Sequence, residues 1–198
     1  MTALPPAGTT TSAAAFDGAV WIAAELDEVA VESSTLTRLR ASGGTWTRTS
    51  FIDCALDGAD LAGVMTTDSA LVRCTLDGAR LTGSQWLRSR WRQLDVTEAV
   101  AEELSAHGST WTDVTFTKTR LRDLDLSEAR LVRVRFVDCD LTGARFAGVR
   151  CSDVSFSGCT MEGITGVAGL RGARLGRSDA ASALPALASE LGIRVTDE

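Results

Sequence analysis

One histidine and one lysine, His107 and Lys118, are all that this 198-residue chain holds of those types. With a single imidazole, a Ser–His–Asp triad or a Cys–His pair would depend on the fold bringing that one ring to a nucleophile. No P-loop and no dinucleotide-binding glycine pattern occurs, so a nucleotide cradle is not expected. No uncharged run reaches the ~18 residues that a membrane span needs. The start, MTALPPAGTTTSAAA, has neither a basic stretch nor an apolar one, so no export signal is expected. Five cysteines, an odd number with no CxxC spacing, point to free thiols in a reducing, cytoplasmic setting. The net charge of −6 disfavours direct nucleic-acid binding and suits a basic protein partner. Lys118 apart, the basic residues are 19 arginines.

What the chain does have is a period. In FIDCALDGADLAG, residues 51–63, the large apolar residues Phe51, Leu56 and Leu61 fall five apart, with Cys54 and Ala59 two places before the next. A helix repeats at 3.6 and a strand at 2. Every fifth residue from Trp21 to Met161 gives 29 positions at which only Thr66 is polar. This frame, extended back to Phe16, holds every tryptophan and phenylalanine of the chain, including Trp21, Trp46, Phe51, Trp86, Trp91, Trp111, Phe116, Phe136, Phe146 and Phe156. Two residues before each centre only Ala, Val, Ser, Thr, Cys, Gly and Leu occur. Of twelve glycines between residues 16 and 163, eleven sit two residues after a centre, and Gly44 is the exception.

A small and a large residue at separation two point to the same side of an extended backbone. The chain must then turn before the next pair, and glycine relieves that corner. Repetition winds a solenoid with two inward residues per face and the other three positions outward. Blocks such as ALDGADLAG, CTLDGARLTG and CDLTGARFAG resemble the pentapeptide repeat family with its A(D/N)LXX consensus, over residues 16–163. The resemblance implies an all-β solenoid, a right-handed quadrilateral β-helix of 20 residues per coil.

Three departures shape the domain reading. Residues 1–15 read as a flexible tail. Residues 94–108 keep the frame with only Ala101 and Ala106 as centres and crowd Glu98, Glu102 and Glu103, which suggests a distorted or loosely packed coil or an excursion. After Met161 the frame slips by one residue at Leu170 and Leu175, a last partial coil that takes the β-helix to about 176. Residues 177–198 then change period: Leu184, Leu187, Ala188 and Leu191 predict a short C-terminal α-helix, with Ser178 as its cap, Gly192 as its stop and Pro185 as a kink. That helix would cover the open end of the rod. Leu184, Leu187 and Leu191 would form the stripe that joins a homodimer.

Chemistry is sparse. Cys54 and Cys74 are 20 apart, as are Cys139 and Cys159, and all four take the small inward position, where cysteine is a compact hydrophobe; Cys151 is a centre and reads as core too. No metal site, cofactor or catalytic residue is expected, and the tryptophans read as core, not as stacking platforms. The rod-plus-helix layout is similar to the mycobacterial and Qnr-type quinolone-resistance members of the family. Those members imply a DNA-mimicking dimer that occupies the DNA site of gyrase or a related topoisomerase. Sorting charges by face gives six acids against four bases around Trp21, six against three around Leu26 and five against three around Leu36. The Val31 face reverses this, with four acids against six bases. No face is an unbroken acidic stripe. Two non-enzymatic readings stand, a DNA mimic and a rigid protein-interaction scaffold.

Overall fold

The protein is described by a computed structural model over residues 4–195. Its backbone winds into a four-sided parallel β-solenoid, each coil hydrogen-bonded to the residues twenty further on. Trp91 lies opposite Trp111 and Trp111 opposite Leu131, with the same offset at the bridges Val20 to Arg40 and Ala15 to Thr35. We name the four sides after their first inward residues Trp21, Leu26, Val31 and Leu36. Three strands, Arg90–Thr97, Thr110–Thr117 and Arg130–Val137, run unbroken from the Val31 side onto the Leu36 side.

The corners follow one rule. Every fifth residue from Gly8 to Gly163 has a positive φ: twelve glycines and twenty other residues, among them Arg73 at 52° and Asp113 at 55°. A left-handed L-residue costs roughly 1–2 kcal/mol, so glycine eases the corner without being required by it. The inter-coil ladders on both sides of each corner impose the conformation. Gly44 answers a different need. A Cβ there would sit 2.8 Å from Trp46 Nε1 and 2.9 Å from the Ala24 carbonyl oxygen, so the missing side chain is what lets the indole fit.

Inside, like stacks on like. Phe116, Phe136 and Phe156 stack nearly parallel at 5.2 and 4.9 Å, and Trp91 stacks on Trp111 at 4.8 Å. Trp46, Trp86, Phe51 and Phe146 are fully buried with them, and Trp21 lies at 3% exposure. The polar centre Thr66 sits between Trp46 and Trp86 in the file and bonds Ser89 Oγ at 3.2 Å, and its small size lets the two indoles meet edge to face at 6.3 Å. Four of the five indole N–H groups, those of Trp21, Trp46, Trp91 and Trp111, find no acceptor, so tryptophan here is filling volume.

Two expectations are corrected. The tail over 1–15 is shorter than expected, because Thr10–Ser12 is a strand in register with Ala30–Glu32 and Gly8 N–H already bonds the Asp27 carbonyl at 3.0 Å. The segment 94–108 is not distorted. Ala101, Ala106, Leu94 and Leu104 are all buried, and Val100 and Ser105 hold the twenty-residue register to coils on both sides. Its small centres accompany Trp86, Trp91 and Trp111 on neighbouring rungs, whose indoles take up the interior volume.

At the C-terminal end the slip of one residue becomes visible as a change of register. Phe156 pairs with Leu175, nineteen residues on, after a 3₁₀ turn at Val167–Leu170. Gly166 and Gly169 allow that turn, since a Cβ on either would run into the backbone of Phe146 or Ala147. The helix α1 (Arg177–Glu190) is capped by Gly176, not Ser178, and continues on both sides of Pro185. It ends in a Schellman turn, with Ile193 N–H on the Ala188 carbonyl at 2.8 Å and Gly192 N–H on Ser189 at 3.0 Å. Asp179 is fully buried and its Oδ1 accepts from Cys159 N–H, while Ser182 Oγ accepts from Met161 N–H at 3.1 Å. These side chains supply acceptors that a further coil would otherwise provide.

Phe136→Ala should therefore cost about 3–5 kcal/mol in urea unfolding, and its outward neighbour Arg135→Ala less than about 0.5 kcal/mol. Equal losses would contradict the inward and outward assignment.

Candidate functional site

The interior offers no site among the described residues: no group of three or more His, Cys, Asp or Glu side chains could hold a metal. The cysteines are free thiols. The hydrogen bond from its stack partner Cys54, and then burial, push the Cys74 thiol up; Cys159 and burial do the same to Cys139. Cys151 is half-buried, packed against the core from the outermost ring of it, and burial raises its thiol to about 11. Cys74, Cys139 and Cys151 thus stay protonated near neutrality, whereas hydrogen bonding with Cys74 and Cys139 lowers the thiols of their partners Cys54 and Cys159. His107 is exposed on the Leu26 side.

The exterior is organised by the same register as the core. A charged residue at a corner meets its counterpart one coil away, and seven arginines take up eight carboxylates in this way. Arg73 holds Asp53 with two bonds of 2.5 and 2.7 Å, Arg133 holds Asp113 at 2.5 and 2.8 Å, and Arg88 holds Asp68 at 3.1 Å twice. Arg48 reaches both Asp27 and Glu28, Arg122 reaches Asp140, Arg174 reaches Asp153 and Arg80 reaches Asp60. The arginine hydrogen bonds hold the carboxyls of Asp53, Asp68 and Asp113 below the ordinary value of 3.8.

Of the carboxylates left over, most lie on the two edges that flank the Trp21 side, while Glu32, Asp95 and Glu128 lie elsewhere. On the Leu36–Trp21 edge lie Asp17, Asp57, Asp77, Glu98 and Asp138, beside Arg38 and Lys118. Asp17 and Asp57 are fixed, because each accepts a backbone N–H of the next coil at 3.0 Å, from Thr37 and Asp77. On the Trp21–Leu26 edge, Glu103, Asp123, Asp125 and Arg145 line a shallow groove of about 330 Å³, with Glu102 next to it. Sequence reasoning counted charges face by face and so missed this division, because the neutralising pairs cross between coils.

The three leucines of the expected dimer stripe differ in exposure. Leu187 is half-buried and, with Leu191, lines an apolar groove of about 330 Å³ together with Ile164, Val167, Leu170 and Leu175. Leu184 and Leu191 are exposed, by 50% and 76%, and are joined by Ile193 and Val195, which the helical spacing did not include.

The family comparison agrees with this repeat. Residues 116–160 match the family described as pentapeptide repeats (9 copies). A search of curated protein sequences finds no match. Among solved structures, full-length QnrB1, a plasmid-mediated fluoroquinolone resistance protein, is similar at 21% identity, with 93% of this chain and 100% of that one covered and a TM-score of 0.42. HetL, a pentapeptide repeat protein involved in heterocyst differentiation regulation from the cyanobacterium Nostoc, is similar at 18% identity, with 80% and 73% covered and a TM-score of 0.31.

The charge ladders carry a pH signature. Carboxyls held below their unfolded value stabilise the fold above about pH 4 and lose that contribution as pH falls through the lowered values. The thermal midpoint should be level from about pH 8 to 5 and fall below about pH 4, less steeply in the triple variant Asp53→Asn, Asp68→Asn, Asp113→Asn. An identical acid slope in both proteins would show that the ladders contribute nothing. Repeated in register from Thr10 to Leu175 around the matched stretch, this architecture makes the chain a pentapeptide-repeat β-solenoid.

Proposed function

We propose that this protein is a non-catalytic rod that works through its surface. Its two acidic edges dock on a basic protein groove of the kind that receives DNA, and DNA gyrase, named by the sequence resemblance, is the specific partner to test. The observation that supports this most is the placement of the unpaired carboxylates. Arginine ladders cancel most of the acids elsewhere, and the larger part of what remains forms two ridges separated by the Trp21 side. Asp17 and Asp57 are held by backbone N–H groups, so their orientation costs little on docking. Paired ridges of fixed negative charge are what a groove shaped for two phosphate strands would accept.

The same reading includes a homodimer. Leu184, Leu191, Ile193 and Val195 leave an apolar surface at the C-terminal end, and joining two rods there would double the length of each ridge. Charge cancellation within the ladders favours a second form of the reading, a scaffold for a different basic protein.

A supercoiling assay with purified gyrase separates the two. Inhibition, or protection against a quinolone, should appear at micromolar protein in low salt and weaken as salt rises. The variant Asp57→Asn, Asp77→Asn, Glu98→Gln, Asp138→Asn should weaken it at least tenfold. No effect of the wild-type protein in low salt would leave the scaffold form standing. Leu184→Glu with Leu191→Glu should convert a dimer into a monomer by light scattering; an unchanged dimer would remove these residues from the interface.

A further inference from the structure

The Val31 side has no part in that reading, and more arginine is left over there than on any other side. Arg90, Arg92, Arg130 and Arg150 are exposed, and none has an ion-pair partner among the described residues. On the same side, Arg73 and Arg133 are each taken by an aspartate of the preceding coil. The register places Arg90, Thr110, Arg130 and Arg150 in one file, and Arg92, Thr112, Val132 and Ser152 in the file beside it. No carboxylate occurs in either file over these four coils. The patch is flat, because its rungs belong to regular strands, and at ~4.8 Å per coil it runs about 15 Å along the rod.

Its occupant must be anionic and short. A long polyanion would overrun the patch onto the acidic edges of a chain whose net charge is −6. A surface that satisfies both conditions is present on the molecule itself. On the Trp21–Leu26 edge, Glu103 and Asp123 stack one coil apart on a corner, with Glu102 and Asp125 beside them; of the two arginines on this edge, Arg122 is held by Asp140 and Arg145 lies one coil beyond Asp125, so carboxylates are in excess. Carboxylates and arginines are thus spaced by the same ladder, so two rods lying side by side can match charges over successive coils without adjustment. The bidentate Arg–Asp pairs within the chain show that this pitch suits the guanidinium fork.

We propose that the arginine-bearing Val31 side of one copy packs on the Trp21–Leu26 acidic edge of a second copy. The two surfaces lie on different parts of the rod, so each molecule offers both at once. The contact is heterologous and does not close, and it builds open, side-by-side arrays. It is distinct from the C-terminal contact, which is apolar, and it depends on salt where that contact does not. Such packing would also cover part of the acidic surface that a basic partner needs.

Sedimentation velocity on the full chain at high concentration tests this across a salt series. The weight-average mass should rise beyond that of a dimer as salt falls from about 0.5 M to 0.02 M, and return when salt is restored. The arginine variant, Arg90→Gln, Arg130→Gln, Arg150→Gln, and the acidic variant, Glu103→Gln, Asp123→Asn, Asp125→Asn, should each remain at the high-salt mass. An equal mixture should associate again, because each variant keeps the surface that the other has lost. A mass that does not change with salt overturns the proposal, as does association that survives in either variant alone. A polyglutamate peptide that binds the wild-type arginine side, with no self-association at any salt, would assign the patch to a different acidic partner and overturn it too.

Discussion

The hydrogen bond between one coil and the residue twenty places further on is the constraint from which the rest of the structure follows. It puts equivalent positions directly above one another, so whatever the sequence repeats, the structure stacks. The phenylalanine column Phe116–Phe136–Phe156 and the hydroxyl column Ser69–Ser89–Ser109 are two results. It also fixes the corners: arginine, glutamate and aspartate accept a left-handed backbone because the ladders on either side leave no other path. On the outside the same stacking acts on charge. Two like charges at ~4.8 Å repel by about 1 kcal/mol in water, and opposite charges gain as much. Most charged corner files accordingly pair Arg with Asp or Glu. Like charges meet one coil apart at the corner pair Glu103 and Asp123 and, away from the corners, at Asp57 with Asp77 and Arg130 with Arg150; there the surface keeps unbalanced charge, and they are the places to which the functional readings point.

How much of this could be read in the sequence depends on whether a feature repeats. The period of five, the inward pair and the glycine corners were legible because each recurs along the chain. The C-terminal helix was legible through its change of spacing. Features that depend on a neighbour twenty residues away were not. Residues 94–108 looked poor taken alone, yet Ala101 and Ala106 sit in register beside rungs rich in tryptophan. Gly44 looked like an error in the pattern until the Trp46 indole filled the space above it. Counting acids by face overlooked the fact that an acid and a base on adjacent coils cancel. The helix cap was misplaced for a similar reason: Asp179 and Ser182, which resemble ordinary N-terminal helix residues, are spent on the exposed N–H groups of Cys159 and Met161.

The functional picture rests on what such a rod can and cannot do. Its interior is packed with apolar side chains. On its exterior, Asp17 and Asp57 are held by backbone N–H groups of the next coil, and fixed orientation favours recognition by shape and charge. The two proposals accordingly use separate surfaces of one frame, the acidic ridges for a basic groove and the arginine side for a short acidic surface.

Whether the twenty-residue ladder holds the rod together can be tested by changing the length of the chain. Deleting residues 94–113 removes one full coil and should leave a folded, cooperatively melting rod that is shorter by one rung, because Gln93 then meets Val114 at the same corner. Deleting only residues 94–103 brings opposite sides of the rod over one another and should abolish folding, as read by circular dichroism and urea unfolding. If the ten-residue deletion is tolerated as well as the twenty-residue one, the register is not what holds this structure together.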